Sequence, residues 1–342
     1  MRIHRLLAIG DIRDPNGLLA ATLAVLAAAA AGAGGFSLAI DQMSEDGFDP
    51  AARRDDATTW ANAGAILMAP GSAGGRLARR HLVEDLGFTV TVRPIRASKH
   101  WPGPLSMASP SHLDWLIVGA IAAGRRPGQD EPGPASGGLL ASDDGPASPR
   151  ARSEAALRHA YQMARSRLRK RLTVITAPSW ADPALAMWGV VASKVAEGYP
   201  DVVVDHVTLQ TLSLRMSHHP ETLDVIATSG LDTDVVSAWA TALAGPPGVF
   251  PSASFNPARH SPALFEPLQS SALAIEDEGV LQPIGAFWAV AMMLNDFGEE
   301  RAAALVMEAI ETVCGALALE TEWRDTVALR DAVVAAIRPP TV

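Results

Sequence analysis

An α/β fold is predicted for this chain on three observations. Short runs rich in β-branched and apolar residues alternate with longer segments of helical character. The later of these longer segments carry apolar residues at three- and four-residue spacing, as a helix buried on one side requires. Finally, 342 residues, 48% of them hydrophobic, suffice for a full core and an expected division into two lobes.

In chain order, the first strand is 3–9 and a helix follows at 17–31. The run from Gly17 to Gly35 is uncharged, with Arg2 and Arg5 upstream, an arrangement that invites comparison with a signal or anchor segment. Asp11 and Asp14 interrupt its approach, and alanine contributes little to bilayer transfer, so the run reads as a buried helix. Strands are expected at 65–68 and 89–92, and at 115–118. Segment 125–152 is rich in Pro, Gly, Ser and Asp, buries too little to offset its ordering, and reads as a flexible loop or linker. A helix at 153–171 ends in the basic run RSRLRKR, the solvated face and C-terminal end of that helix. The pattern continues with strands at 173–176, 202–207 and 224–228 and helices at 183–197, 208–217 and 233–243. Helices at 284–297, 299–316 and 326–337 close the chain, with Met292 and Met293 as core filling.

Composition excludes several functions. The chain has 28 basic and 37 acidic side chains, net −9, and only Lys99, Lys170 and Lys194 are lysines. An acidic chain without a basic face is not expected to bind nucleic acid. One cysteine, Cys314, excludes an intrachain disulfide and a multi-thiolate metal site, and points to a reducing, cytoplasmic compartment. No membrane span is expected. His218 and His219 read as a solvated helix end, and Ser252 and Ser254 lie in no nucleophile elbow. APGSAGG (69–75) lacks the lysine of a P-loop.

A set of motifs adds a resemblance. GYPDV (198–202) with His206, DVIATSGLDTDVVS (224–237), ALAGPPGVFPSAS (242–254), ALFEP (263–267) and PIGAFWAVAMML (283–294) follow one another in order and spacing. Upstream, LLAIGD (6–11), AILMAPGSAGG (65–75) and VRP (92–94) match more loosely. Together they resemble the isocitrate/isopropylmalate dehydrogenase family of β-decarboxylating dehydrogenases. The resemblance implies a two-domain α/β fold with an interdomain cleft: 1–92 plus 247–342 as the cofactor-side domain, and 93–246 as the dimerisation domain. It also implies a homodimer, and oxidation of a 2-hydroxy acid by NAD or NADP followed by decarboxylation beside Mg²⁺ or Mn²⁺. Such chemistry needs arginines for carboxylates, aspartates for the metal, and a Lys/Tyr pair for proton transfer.

Laid on that pattern, the site is altered at most positions. The substrate arginine of the family's Arg-Pro pair corresponds to Arg93, which either holds a carboxylate or pairs across the domain hinge. A second substrate arginine falls at Arg80 or His81, and the third has become Gly119. The catalytic lysine position is Pro178 and the tyrosine position is close to Arg126, with Tyr161 the nearest tyrosine in sequence. Of the metal-binding aspartates, Asp234 remains, with Asp232 as a second candidate, while the others are Gln210 and Ala238. The alternative role for Asp232 and Asp234 is to cap the positive end of a helix. On the nucleotide side, Gln269 replaces the adenine-stacking histidine, Gln282 replaces an asparagine, and Glu266 is retained.

These replacements lead to the expectation of a protein that has lost the parent reaction, a pseudoenzyme, regulatory subunit or repurposed biosynthetic protein. The competing expectation is a divergent dehydrogenase or decarboxylase of a 2-hydroxy dicarboxylic acid. No cofactor is expected in the first case; NAD(P) with Mg²⁺ or Mn²⁺ is expected in the second. The partners expected are a second copy or an active paralogue, and a small carboxylate. The subunit contact is expected on Leu209, Leu212, Val235, Val236, Trp239 and Leu243.

Overall fold

The computed structural model describes residues 2–45, 60, 62–70, 73–98, 100–101, 103–105, 113–121, 148–176, 183–230, 232–246, 248–268, 283–316 and 325–337. The chain begins with β1 (Arg2–Gly10), α1 (Leu18–Ala33), β2 (Phe36–Ser44), β3 (Ala65–Ala69) and α2 (Ala73–Asp85). Next come β4 (Val90–Arg96), β5 (Asp114–Ala120), α3 (Pro149–Ser166), β6 (Arg171–Ile175) and α4 (Pro183–Ala196). They are followed by β7 (Val203–Val207), α5 (Leu209–His218), β8 (Val225–Thr228) and α6 (Asp232–Ala244). The last elements are β9 (Pro251–Phe255), β10 (Ala263–Pro267), α7 (Pro283–Asp296), α8 (Glu300–Ala316) and α9 (Thr326–Ile337). Two compact units result, 1–87 with 99–102 and 246–342, and 88–98 with 103–245.

In the first unit the strand order is β2-β1-β3-β10-β9. All neighbours are parallel except β10 and β9, which run antiparallel. Helix α1 carries apolar residues all round and buries Leu18, Leu19, Val25, Leu26 and Ala29, packing against α7, α8 and α9. Gly10 permits this approach: a Cβ there would lie 2.5 Å from the Ala69 carbonyl oxygen and 2.9 Å from Leu19 Cβ. The uncharged N-terminal run is therefore a core helix. No helix of the described residues is long and apolar enough to cross a membrane.

In the second unit the order is β4-β5-β8-β6-β7, with β4 and β5 antiparallel and the others parallel. A charged clasp ties the starts of β5 and β8 to the turn after α3. Arg167 donates to Asp224 Oδ1 at 2.5 Å and to Asp114 Oδ2 at 2.7 Å, and Arg169 donates to the Leu223 and Asp114 carbonyls at 2.8 Å each. Asp224 is fully buried, so its charge requires these partners.

The helix expected at 153–171 begins four residues earlier and stops at Ser166, and Arg171 already belongs to β6. Ser148 caps α3 by accepting from the Ala151 N–H at 3.1 Å, and Pro149 opens its first turn. Residues 148–152 are thus a helix start and correct that end of the expected 125–152 linker; 125–147 lie outside the described residues.

Candidate functional site

The side chains singled out by sequence gather in two places, one in each unit. In the second unit, Arg93 sits on β4, whose partner β5 ends at Gly119 and Ala120. Strand β8 ends at Thr228, and α6 starts four residues later with Asp232 and Asp234 in its first turn.

Arg93 is buried, with 8% of its side chain exposed, and its guanidinium faces the first turns of α6. Nη2 meets Asp234 Oδ1 at 2.8 Å. Nη1 donates to Ser237 Oγ at 2.8 Å and lies 3.4 Å from the Thr233 carbonyl. Ser237 Oγ in turn donates a hydrogen bond to that carbonyl at 2.6 Å, so the hydroxyl is an acceptor toward the arginine. Asp234, by contrast, is 67% exposed. The pair thus joins a fixed, buried cation to a solvated carboxylate.

Next to it, Thr233 and Thr228 share a hydrogen bond of 2.7 Å between their buried hydroxyls. Thr233 fills the space beside Gly119. A Cβ at that glycine would lie 2.4 Å from both Thr233 Cγ2 and Oγ1, and 3.0 Å from Thr228 Oγ1. A side chain at 119, arginine included, cannot enter while Thr233 holds this position.

The donors at this helix start do not fit a Mg²⁺ or Mn²⁺ ion. Asp234 is engaged by Arg93, and Asp232 accepts from the Ser229 hydroxyl at 3.2 Å. Ala238 brings no ligand, and Gln210 on α5 is an exposed neutral amide. Hard dications favour several charged oxygens converging on one point. Among the described residues, no three His, Cys, Asp or Glu side chains are grouped to hold a metal. Both carboxylates do lie where the positive end of α6 favours them.

The other cluster lies in the first unit. Glu266 on β10 is buried and accepts from Arg79 Nε on α2 at 2.6 Å. Arg80, the arginine favoured by sequence, is exposed, while His81 is buried on the same helix. One residue of helix rotates a side chain by about 100°, which decides between Arg79 and Arg80 as the partner of Glu266. Pro178, Arg126, Gln269 and Gln282 lie outside the described residues.

Tyr161 is no substitute for a catalytic tyrosine. It is buried, donates to the Ala192 carbonyl at 3.2 Å, and burial pushes its hydroxyl up to about 12. His206, His218 and His219 are exposed. Thr233, Ser237 and Arg79 were not singled out by sequence, and only the i, i+4 spacing of Thr233 and Ser237 carried a hint that they share a helix face.

The comparisons agree with this architecture. Residues 76–330 match the family model described as isocitrate/isopropylmalate dehydrogenase. The protein named "Probable tartrate dehydrogenase/decarboxylase TtuC'" from Agrobacterium vitis is 38% identical over 64% of this chain and 62% of its own length. The D-malate dehydrogenase [decarboxylating] of Escherichia coli (strain K12) is 32% identical over 61% of this chain and 58% of its own. The chain therefore spans about three-fifths of the length of these relatives. The crystal structure of isocitrate dehydrogenase from Methylococcus capsulatus shares the fold, with a TM-score of 0.74 over 98% of this chain and 100% of that one at 22% identity. On the extent of the family match and the shared fold, this chain belongs to the isocitrate/isopropylmalate dehydrogenase family.

Proposed function

We propose that this chain keeps the family fold but has lost its metal- and nicotinamide-dependent oxidative decarboxylation, and serves as a regulatory subunit or a repurposed protein. The Arg93–Asp234 ion pair supports this reading most strongly. The arginine at the substrate-carboxylate position is engaged by the aspartate at the metal position, so each is taken up by the other instead of by the ligand the family position would serve. Pro178 and Gln210, at the lysine and metal positions, remove a proton carrier and an anionic ligand. General acid–base catalysis alone contributes about 10²–10⁴ in rate, and losing it together with metal stabilisation leaves the parent reaction without its main terms.

The test is an assay of the purified chain with tartrate, D-malate, isopropylmalate and isocitrate, each with NAD or NADP and Mg²⁺ or Mn²⁺. No reduction of the nicotinamide above a metal-free control is expected. Turnover that is abolished in Asp234→Ala would overturn the reading.

A second reading is a divergent dehydrogenase or decarboxylase, using Arg93, Asp234, Asp232 and Arg126 in new roles. The observation that favours it is the 38% identity with relatives named as tartrate dehydrogenase/decarboxylases. In either case a homodimer, or a heterodimer with an active paralogue, is proposed through α5 and α6. Val235 and Trp239 on α6 are 43% and 40% exposed, whereas Leu212 and Val236, expected on the same contact face, pack inside the unit. The buried free thiol of Cys314 suits a reducing, cytoplasmic location.

A further inference from the structure

In the first unit, burial along β1 is continuous only from Leu6 onward; Arg2, Ile3 and Arg5 are exposed. This end of the strand pairs with the edge strand β2, Arg2 opposite Phe36 and Arg5 opposite Ala39. His4 is the exception, with 15% of its side chain exposed. Its ring stacks on Phe297, centroids 4.4 Å apart and planes 10° from parallel, and meets Phe36 edge-to-face at 5.6 Å. His4 Nε2 lies 2.8 Å from Glu299 Oε1, on a carboxylate only 10% exposed. Glu299 starts α8, its carbonyl accepting from the Ala303 N–H at 3.1 Å. Arg2, mostly in solvent, reaches the same Oε1 at 3.3 Å.

The charge on the imidazole changes what this cluster contributes. A neutral ring with its hydrogen on Nε2 donates one hydrogen bond to Glu299. A protonated ring keeps that bond, adds an ion pair with a carboxylate largely withdrawn from water, and lays a cation on the face of Phe297. Both additions act in the same direction. The other charged groups on the surrounding elements are solvated or already engaged. Arg2 and Arg5 on β1, Asp41 on β2, and Glu300 and Arg301 on α8 are exposed, and Asp296 at the end of α7 is paired with Arg259. Residues 62–64 bring no titratable side chain.

We propose that His4 is a pH-sensitive latch that ties the exposed end of β1, and with it the start of edge strand β2, to the beginning of α8. Histidine ordinarily gains its charge between pH 8 and pH 5, so the latch tightens toward acid and loosens toward alkali. The contribution of the charge is present where the ring is protonated and is lost as the pH rises. Arg2 alone then holds Glu299, through a solvent-screened contact. Residues 2–5 and 36–39 bury little beyond Phe36 and fray first when the latch opens. This inference does not depend on the proposed function.

The test is amide hydrogen exchange on the full chain at pH 5.5 and pH 7.5, corrected for the intrinsic pH dependence of exchange. Peptides spanning 2–10 and 36–44 are compared in wild type, His4→Gln, Glu299→Gln and the double variant. His4→Gln keeps a donor and removes the titration; His4→Asn does the same if that variant folds poorly. The coupling between positions 4 and 299, read as the ratio of protection factors around the cycle, is expected to be about threefold larger at pH 5.5. The pH dependence of protection in these peptides is expected to vanish in His4→Gln. A coupling equal at the two pH values, or a pH dependence that survives in His4→Gln, would overturn the proposal. An equal change in peptides from the core helix α7 would also overturn it, since the whole unit would then be responding and not this strand end.

Discussion

Substituting alanine for Gly119 tests the closure of the neighbouring arginine position directly. The added Cβ would sit 2.4 Å from two atoms of Thr233 and 3.0 Å from Thr228 Oγ1. Thr233 is β-branched and lies in the first turn of α6, so few rotamers are open to it, and its hydroxyl is already bonded to Thr228 at 2.7 Å. Overpacking of this kind costs about 1–3 kcal/mol, and two contacts far inside van der Waals distance put Gly119→Ala near 2 kcal/mol. For a unit of this size that lowers Tm by about 4–8 °C. Thr233→Ala alone is expected to cost about 1 kcal/mol, from loss of the hydroxyl pair. Combined, the two should fall short of additivity by about 1 kcal/mol or more, because the alanine at 233 vacates the space the new methyl needs. Urea denaturation of the four proteins measures this, provided the m-value is constant. A stable Gly119→Ala, within about 0.5 kcal/mol of wild type, would refute the closure, as would strict additivity.

Three further outcomes are expected. Arg79→Met strands the buried Glu266 carboxylate and should destabilise the protein by about 2 kcal/mol, whereas Arg79→Met/Glu266→Gln should recover part of the loss, both read from denaturation midpoints. Burial pushes the Cys314 thiol from the ordinary 9.0 to about 12, with Glu311 adding to it, and burial pushes Tyr161 from 10.0 to about 12. Both raised groups stay protonated in the folded chain while the unfolded chain releases its protons, so stability present below about pH 9 should fall between pH 9 and 12. Cys314→Ala should remove the earlier part of that fall, and the native thiol should react with a disulfide reagent only after unfolding. Trp239→Glu and Val235→Glu should shift light scattering from dimer toward monomer, and a wild-type monomer with no paralogue to capture it would end the assembly proposal.

The parts of the fold that sequence revealed are those where burial and local propensity agree. Strands β3, β5, β6 and β8 are apolar runs, and α8 shows the helical spacing of one-sided burial, whereas α7, expected to share that pattern, is buried on nearly all sides. Strands β2, β9 and β10 escaped because FSLAIDQMS, PSASF and ALFEP contain Ser, Ala, Pro and charge, and owe their extension to their neighbours in the sheet. Helix α3 was clipped because Ser148 and Pro149, which start it, were absorbed into a Pro/Ser-rich composition that spoke for a linker. At the site, Arg93 and Asp234 were both legible as residues, yet their pairing was not. Whether a charged side chain meets a ligand or another side chain depends on packing between β4 and α6, which no local pattern encodes. Gly119 posed the same difficulty, since the absence of a side chain acquires meaning only through Thr233.

The substitutions are coherent when counted as charge. A site built to take a dicarboxylate and a dication carries arginines and aspartates that are balanced only when both are bound, and the empty site must tolerate like charges held close together. On the positions the resemblance implies, the cation would be missing at Gly119 and the anions at Gln210 and Ala238, and what stands beside β4 is Arg93 with Asp234 at 2.8 Å. Asp232, the other carboxylate of that turn, is turned to the Ser229 hydroxyl. Under the proposed function, losing a cation and anions together would leave a pair that neutralises itself without any ligand. Losing only the aspartates would have left Arg93 buried without this counter-charge, and losing only the arginines would have crowded carboxylates at the start of α6 with no cation near. The positive end of that helix stabilises one or two carboxylates by about 0.3–1 kcal/mol each, too little to hold a larger cluster together. The proposed loss of the parent chemistry accounts for this composition, because the Arg93–Asp234 pair that remains is neutral without a ligand.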